Sequence, residues 1–441
     1  MRLSSLLAFS LFFLLNIFRI FASTCWDLVD PRRPKEFIKA DCPTESGNPP
    51  NLKRDNDDMF VVTFTCTVND QTLCNKVKTA FTTAGKLITA SIAFKTPVTV
   101  NATFTSFCVL YNECSTPTTT LITLGGAAPA RTMEILDSDG VTRLFPQSLV
   151  KQMNLDNHPA YSSFDILALF NSDTNYWFDG DGPIHADQSD FLFLIVHELM
   201  HGLGFTTGYE DYLNNPAVAL TPYIAVTQSS NSSGIIFTGF VEMIFDKFMV
   251  ILSTGQRISN ITKQLNTFAG GPGALFANSS QFISQFEASS QYNLAKQVMT
   301  YATTPKAIGL LPVNSSDISQ AIILETSLVP YVGGSSVSHV DYQTYSNTSD
   351  FLMRYLQDRG KTLGQSIILS GNYSGGPIGP KLRSFLSWSG YTVLNQSVPF
   401  SIIGDSSYYL NISSDANNII PSLGYTCTLA TLFFFWFMAS Q

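Results

Sequence analysis

The stretch "DFLFLIVHELMHGLGF", Asp190–Phe205, places two histidines four residues apart, with a glutamate directly after the first. Residues i and i+4 of a helix lie one turn apart on the same face, so His197 and His201 can present their imidazoles to one ion. Zinc suits such a pair because it accepts neutral imidazole and keeps an open position for water. Glu198 then lies where a base can take a proton from that water. The stretch therefore predicts a zinc-binding helix with Glu198 as general base.

The limits of this helix can be predicted from its polar and glycine residues. Asp187 is a suitable N-cap, and Asp190, three residues later, stands where a capping-box acid would. Gly202 or Gly204 is expected to stop the helix. Its predicted buried stripe comprises Phe191, Leu194, Ile195 and Leu199.

The segments before this helix alternate between strand and helix patterns. Residues 59–68 ("MFVVTFTCTV") and 97–111 predict strands, residues 74–94 have apolar positions at helical spacing, and residues 164–171 predict a further strand. Strand–helix–strand, further strands and then a metal-bearing helix predict an α+β fold. Residues 208–335 show no decisive periodicity.

A protein zinc site needs a third ligand, and the sequence offers several candidates. His158 and His185 both lie beside turn-forming residues and are expected to be structural. Glu242 would be the ligand if a second helix brought a carboxylate to the zinc. Asp211 could bind by local geometry, although a loop acid is the expected role. His339 follows a glycine- and serine-rich run, in which it is the single histidine.

Three segments together resemble the metzincin metallopeptidases, specifically the leishmanolysin-like branch: "HELMHGLGF" (197–205), "SSVSHVD" (335–341) and "DFLMRY" (350–355). The short metzincin pattern would place the third histidine at position 207, where this chain has Thr207. In the leishmanolysin-like branch, an inserted segment interrupts that pattern and the third histidine arrives later, in a serine-rich loop.

This resemblance implies the remaining parts of the site. His339, which lies 138 residues after His201, would be the third ligand of one Zn²⁺ per chain. Met353 would be the methionine of the turn beneath the zinc. The sequence Met-Arg-Tyr is similar to the turn of astacins and serralysins, in which the tyrosine supports the oxyanion, so Tyr355 is a candidate catalytic residue. A packed aromatic side chain remains the other interpretation of Tyr355.

The resemblance also implies a fold and an activity. The expected fold is the zincin/metzincin fold: an N-terminal mixed twisted sheet with a backing helix and the active-site helix, then an irregular, helical C-terminal subdomain. Residues 376–391 resemble the helix near the end of such domains. The expected activity is that of a secreted zinc endopeptidase acting on proteins or peptides. An inactive surface glycoprotein with a zincin fold, such as an adhesin or wall protein, is the alternative, and the intact Glu198 favours the enzyme.

Composition and processing patterns predict where such a protein acts. The chain of 441 residues has a net charge of −8, only 13% charged residues and no basic run, which excludes nucleic acid as an expected partner. Residues 1–23 have the order of a signal peptide. The apolar C-terminus resembles a glycosylphosphatidylinositol (GPI) anchor signal, with Ser413 and Ser414 as candidate sites, so an extracellular location on the outer membrane leaflet is expected. A single membrane-spanning helix is the alternative interpretation of the tail.

The expected organisation follows from these patterns: 1–23 signal peptide, 24–207 N-terminal catalytic subdomain with the zinc helix, 208–335 inserted segment, 336–400 C-terminal subdomain with the third ligand and methionine turn, 401–418 stalk and anchor site, and 419–441 anchor signal tail.

Cysteines and sequons agree with export. Six cysteines lie in the first 114 residues of the chain and, as an even set, predict three disulfides: Cys25, Cys42, Cys66, Cys74, Cys108 and Cys114. Nine Asn-x-Ser/Thr sequons predict a glycosylated protein: Asn101, Asn231, Asn260, Asn278, Asn314, Asn347, Asn372, Asn395 and Asn411.

Overall fold

A computed structural model of the chain describes residues 24–31, 35–46, 59–115, 122–155, 157–229, 234–395 and 438–440, with only the backbone given for residues 44–46 and 438–440. The predicted signal peptide, the anchor candidates Ser413 and Ser414, and Cys427 lie outside the described residues.

Strands and helices are interspersed along the chain, which confirms the predicted α+β class. The strands, β1 to β22 in chain order, are Thr24–Leu28, Phe37–Asp41, Thr44–Ser46, Phe60–Cys66, Ile92–Ala93, Val98–Thr105, Ile122–Pro129, Arg131–Leu136, Thr142–Pro146, Asn157–Pro159, Ile166–Asn171, Tyr176–Trp177, Ser189–Asp190, Tyr223–Gln228, Ile235–Met243, Met249–Ile251, Leu275–Phe276, Ile308–Leu310, Ile322–Ile323, Leu356–Gln357, Thr392–Val393 and Met438–Ser440.

The helices, α1 to α10, are Gln71–Thr89, Phe107–Tyr111, Gln147–Val150, Phe191–Gly202, Ile258–Leu265, Ser279–Glu287, Ser290–Ala302, Tyr342–Tyr345, Leu363–Leu369 and Pro380–Ser389. Short 3-10 helices are formed by Ile244–Phe248, Phe268–Gly270, Ile318–Gln320 and Phe351–Met353. In the part of the chain that the structure describes, no helix is both long enough and apolar enough to cross a bilayer.

The central sheet has the strand order β20-β22-β7-β11-β6-β4, in which the three-residue strand β22 lies within the segment expected to be the anchor signal tail. Strands β4, β6 and β11 run parallel, while β7 is antiparallel to β11. Parallel neighbours need a crossover connection, and α1 supplies it between β4 and β6. The alternating residues Val98, Val100, Ala102 and Phe104 are fully buried, as the period of two predicts for one face of β6.

Helices α1 and α4 form the layer that covers this sheet. Helix α1 packs against β4 and α4, and α4 packs against β7 and β11. The predicted helical positions Val77, Phe81, Ala84 and Ile88 are buried on α1. Burial of each large apolar side chain contributes about 1.5–3 kcal/mol, so this interface holds α4 firmly on the sheet.

The segment 208–335 shares a second sheet with the N-terminal part of the chain. The strand order is β14-β15-β9-β8-β1-β2, and β17 also pairs with β15. Strand β15 lies parallel to β9, with Glu242 opposite Arg143. The expected inserted segment is therefore joined to the N-terminal subdomain by backbone hydrogen bonds as well as by side-chain packing.

All six cysteines predicted to form disulfides are paired. Cys25 pairs with Cys42, Cys66 with Cys74 and Cys108 with Cys114, at Cα–Cα distances of 5.6, 6.0 and 4.2 Å. The second pair ties the end of β4 to α1, so this disulfide fixes the first crossover of the central sheet.

Six of the predicted glycosylation sites have exposed side chains: Asn260, Asn278, Asn314, Asn347, Asn372 and Asn395. Asn101 is half-buried within β6, an internal strand of the central sheet. Asn231 and Asn411 lie outside the described residues. The exposed sites are accessible to the glycosylation machinery.

Candidate metal centre

Helix α4 carries the first two histidines, and its N-cap is Asp190. The Asp190 carboxylate accepts hydrogen bonds from the backbone N–H groups of Leu192 (2.8 Å) and Phe193 (3.3 Å). The prediction of Asp187 as N-cap is wrong, because the two residues before the helix pair as strand β13 with β12. The capping-box acid of the sequence prediction is therefore the N-cap itself.

A sharp turn ends α4 at Gly202 and positions the ring of His201. Gly204 has a φ of +108°, and a Cβ atom there would lie 2.9 Å from Cγ of Pro146, so glycine is required for both reasons. The turn brings the carbonyl oxygen of Phe205 to 2.7 Å from Nδ1 of His201. The predicted glycine stop is confirmed.

The third histidine, His339, is presented by a loop held through Glu325. The backbone N–H of Glu325 donates to the carbonyl oxygen of His339 (2.8 Å), and the N–H of Val337 donates to the carbonyl oxygen of Glu325 (2.7 Å). Val337 has a φ of +66°, which is rare for a β-branched residue. Such strain persists only where the surrounding structure imposes it, as it does at many functional sites.

The three histidines form one cluster in which their Nε2 atoms converge. The Nε2 atoms of His197, His201 and His339 lie 3.1 to 3.2 Å from one another. Each Nδ1 atom faces a backbone carbonyl oxygen, namely those of Leu352 (2.7 Å), Phe205 (2.7 Å) and Ser335 (3.0 Å).

This arrangement fixes the tautomer of each ring. A carbonyl oxygen can only accept, so each neutral imidazole carries its hydrogen on Nδ1 and directs the lone pair of Nε2 into the cluster. Three lone pairs at this spacing repel one another unless a cation lies between them. Tetrahedral zinc, with Zn–N bonds of about 2.0–2.1 Å, places its nitrogen ligands about 3.3–3.4 Å apart, so the residues present fit such an ion.

Burial keeps all three imidazoles neutral. Desolvation lowers the pKa of His201 to about 4. It lowers the pKa of His197 and of His339 well below the usual value, and the neighbouring histidines lower both further. Neutral imidazole is the form that binds a metal.

Glu198 lies next to the cluster and is oriented by the central sheet. The side chain is fully buried, and Oε2 accepts a hydrogen bond from the backbone N–H of Ala127 at 2.9 Å. Ala127 belongs to β7, the strand against which α4 packs. The central sheet thus orients the carboxylate of Glu198 through this hydrogen bond.

The segment around Met353 lies directly against the cluster. Met353 is buried in a 3-10 helix, and its carbonyl oxygen accepts from the N–H of Val340, one residue after the third histidine. The preceding residue, Leu352, supplies the carbonyl oxygen that binds His197. The segment of the predicted methionine turn thus contacts the ring of His197 and the backbone of Val340, next to His339.

Tyr355 follows this turn and packs on Tyr342, with ring centroids 5.7 Å apart. Burial, followed by the negative charge of Glu325 and the neighbouring Tyr342, raises the pKa of Tyr355 to about 12. The phenol therefore keeps its hydrogen at neutral pH and can act as a hydrogen-bond donor.

Two acidic ligand candidates have other roles. Glu242 does not join the cluster, because its carboxylate binds the guanidinium of Arg143 at 2.9 Å and the hydroxyl groups of Ser259 and Thr262. The interpretation of Glu242 as a zinc ligand is therefore wrong. The Asp211 carboxylate accepts hydrogen bonds from backbone N–H groups of its own loop, as expected of a loop acid.

The remaining histidines also lie outside the cluster. Nδ1 of His158 forms a 2.7 Å hydrogen bond with the hydroxyl of Tyr161. His185 is exposed in the turn before α4. Among the described residues, the group that could hold a metal ion is His197, His201 and His339.

Two buried charged residues that the sequence analysis did not identify support the loop of His339 and the turn at Met353. Both Glu325 and Arg354 are almost fully buried. The carboxylate of Glu325 accepts the N–H groups of Ser327 (2.8 Å) and Tyr342 (3.0 Å), and Arg354 donates to the carbonyl oxygen of Phe351 (3.1 Å). A charged residue within an apolar run, as in "AIILETSL" and "FLMRY", was the available signal.

A separate cavity of about 500 Å³ lies away from the histidines, and none of them lines it. Its wall combines the aromatic rings of Phe145 and Trp388 with the side chains of Lys95 and Lys247. The chemistry of the histidine cluster is therefore not associated with this cavity.

The fold and the cluster together define the class: an α+β protein with a candidate three-histidine metal centre beside a buried glutamate. Within that class, the chain belongs to the SPBPB7E8-like family, whose profile matches residues 33–417. A relative from Schizosaccharomyces pombe, called "Uncharacterized protein PB7E8.01", is 28% identical over 370 residues. This alignment covers 78% of the chain but 64% of the relative, so the chain spans less than two thirds of that protein. No solved structure matches the chain.

Neither the family name nor the name of the relative states an activity. The function proposed below therefore rests on the geometry and chemistry of the histidine cluster.

Proposed function

We propose that this protein is a zinc-dependent endopeptidase of the metzincin type, related to the leishmanolysin-like branch. The observation that carries the proposal is the convergence of three Nε2 atoms whose Nδ1 atoms are all bound by carbonyl oxygens. Carbonyl oxygens are frequent partners of metal-binding histidines, because they fix the tautomer and the orientation of the ring.

The order of the supporting segments favours the same class. Two ligands on α4, a third in a serine-rich loop and then a buried methionine occur in the order that the resemblance implies. The zincin fold is part of the proposal and is supported by the parallel strands β4, β6 and β11 with α1 and α4 on one face.

His197, His201 and His339 would hold the Zn²⁺ ion. When bound, zinc supplies a Lewis acid that polarises the peptide carbonyl and makes water a stronger acid. Glu198 takes one proton from the attacking water while the oxygen of that water bonds to the carbonyl carbon. Glu198 then delivers the proton to the amide nitrogen as the C–N bond breaks, which leaves a carboxyl group and an amine.

Other residues of the chain would orient these steps. The N–H of Ala127 holds one oxygen of Glu198, which limits the rotation of the carboxylate. Tyr355 would donate a hydrogen bond to the developing oxyanion. The alternative role of Tyr355, packing on Tyr342, leads to a different prediction for its phenylalanine variant.

The proposed location is extracellular, on the outer membrane leaflet through a lipid anchor. Three disulfides and six exposed sequons support passage through an oxidising secretory compartment. The proposed substrates are proteins or peptides.

Metal content and peptide cleavage test this proposal together. The full chain, produced in a eukaryotic secretory host, should bind about one zinc per chain. His339→Ala should lose the metal, and Glu198→Ala should keep the metal while cleavage of a peptide library falls at least 100-fold, as expected on loss of the base.

His185→Ala is the matched control, because that histidine is exposed and lies outside the cluster. Zinc retained by His339→Ala would overturn the ligand assignment. Zinc bound by a wild-type chain that cleaves no peptide, after limited proteolysis to remove any block, would favour the inactive surface glycoprotein instead.

A further inference from the structure

Thr207 occupies the position of the third histidine in the short metzincin pattern, yet it contacts two segments far away in the sequence. Its hydroxyl donates a hydrogen bond to Oδ1 of Asp246 at 2.6 Å. Its backbone N–H lies 3.4 Å from the hydroxyl oxygen of Ser338, the residue before the third histidine. Both Asp246 and Ser338 are fully buried, so these contacts are shielded from water.

Asp246 binds the chain directly after α4 at more than one point. Its carboxylate also accepts the backbone N–H of Gly208 at 3.1 Å, and the N–H of Met243 at 2.8 Å. A Cβ atom on Gly208 would lie 2.9 Å from Oδ2 of Asp246. The close approach of the Asp246 carboxylate to the backbone therefore favours glycine at the last position of "GFTTG".

The segment held in this way positions two of the three imidazoles. Phe205, two residues before Thr207, supplies the carbonyl oxygen that binds Nδ1 of His201. Ser338 precedes His339 in the loop that presents the third imidazole of the cluster. A shift of Thr207 would therefore move the carbonyl partner of one histidine and the backbone of another.

We infer that Asp246 and Thr207 form a positioning clamp that sets the distance between His201 and His339. This inference rests on the proposed metal site and assigns these residues a role in metal affinity. The clamp holds Thr207 in place, and the backbone N–H of Thr207 in turn contacts Ser338 in the loop that presents His339. Neither clamp residue touches the reacting atoms.

Metal affinity measured on three variants tests the clamp. Thr207→Val removes the hydroxyl but keeps the shape of the side chain, Thr207→Ser keeps the hydroxyl, and Asp246→Asn replaces one carboxyl oxygen with an amide NH2 group. The zinc dissociation constant is measured by competition with a chromogenic chelator, and the visible spectrum of the Co²⁺-loaded protein reports the ligand geometry. The melting temperature of the metal-free protein is measured in parallel.

Asp211→Asn is the matched control. Asp211 is also a buried acid that caps a loop, but its backbone N–H donors are those of Leu213, Asn214, Val218 and Ala219. Its substitution should lower the melting temperature of the metal-free protein and leave the zinc affinity and the Co²⁺ spectrum unchanged.

The expected result is a loss of zinc affinity of roughly tenfold in Thr207→Val and in Asp246→Asn, with altered Co²⁺ bands, and recovery to near wild type in Thr207→Ser. Unchanged affinity and spectrum in Thr207→Val would overturn the clamp. So would an equal loss in Asp211→Asn, because the effect would then follow general stability. A wild-type chain that binds neither metal would instead refute the proposed function.

Discussion

At the scale of single residues, the candidate site is defined by hydrogen-bond direction. Three backbone carbonyl oxygens receive the Nδ1 hydrogens of His197, His201 and His339, and this leaves the three Nε2 lone pairs directed at one point. Such an arrangement is unfavourable for uncharged rings alone, because the lone pairs repel. The same arrangement is favourable around a cation, which is why the cluster supports a metal site more strongly than proximity alone would.

Tyr355→Phe separates the two interpretations of this tyrosine. If its hydroxyl stabilises the oxyanion, kcat for peptide cleavage should fall roughly 100-fold while KM changes little, since the hydrogen bond strengthens only in the transition state. The high pKa of about 12 keeps the donor protonated throughout the neutral range. Steady-state kinetics on one fluorogenic peptide provide the measurement.

Tyr342→Phe is the control for Tyr355→Phe, because its ring packs on Tyr355 while its hydroxyl donates to Asp358. An unchanged kcat in Tyr355→Phe, with a melting temperature lowered as much as in the control, would assign Tyr355 a packing role only.

At the scale of secondary structure elements, the sequence predicted those with a strong local pattern. The strand within residues 59–68 and the helix within residues 74–94 are present as β4 and α1, because their periodicity matches the face that each buries. The start of α4 was misplaced, since Asp187 and Asp190 are equally good caps locally and only the pairing of β13 with β12 decides between them.

Other parts of the site could not be predicted from local patterns. The carbonyl oxygens that bind the histidines have no side-chain signature, because every residue carries a carbonyl group. The contact between Thr207 and Asp246 joins residues 39 positions apart, and the loop around Glu325 depends on backbone pairing with His339. Such features arise from tertiary packing and need the folded chain to be seen.

The N-cap of α4 gives a prediction on pH. The pKa of Asp190 is raised to about 6, chiefly by burial and to a smaller extent by the charge of Asp179, while three backbone N–H donors oppose the shift. The folded chain therefore binds this proton more strongly than the unfolded chain, whose aspartate has a pKa of about 3.9. The contribution of Asp190 to stability is thus present at low pH and is lost as pH rises from about 4 through 6.

Urea unfolding of wild type and Asp190→Asn, both with chelator present, measures this contribution. The stability of wild type relative to the variant should increase by roughly 2 kcal/mol as pH falls from 7 to 4, which is most of the effect that the pKa difference allows. Parallel pH profiles for the two proteins would show that Asp190 ionises with an ordinary pKa.

At the scale of the whole molecule, the site exists only because distant parts of the chain are brought together. Helix α4, the loop that ends at His339 and the turn at Met353 each supply one part, and 138 residues separate the second histidine from the third. Much of the intervening segment is anchored to the N-terminal part through β15, which pairs with β9. The pairing of β15 with β9 therefore joins the segment that precedes His339 to the N-terminal part of the chain.

The buried ion pair at this junction allows stability and metal binding to be separated. Glu242 on β15 binds Arg143 on β9, and both side chains are at most 1% exposed. Glu242→Gln removes one of the negative charges that compensate the buried guanidinium of Arg143. The free energy of unfolding should fall by about 3 kcal/mol, which is the low end of the range for breaking a buried ion pair. The cost should stay low because Arg143 keeps Asp137 and Asp139 as partners.

Because Glu242 lies outside the histidine cluster, Glu242→Gln should still bind about one zinc per chain at temperatures where it is folded. Its zinc dissociation constant should match that of wild type, while the urea midpoint falls. His339→Ala should show the opposite pattern, with metal lost and the metal-free chain about as stable as wild type. If Glu242→Gln instead lost its zinc while folded, the conclusion that Glu242 is independent of the metal site would be wrong.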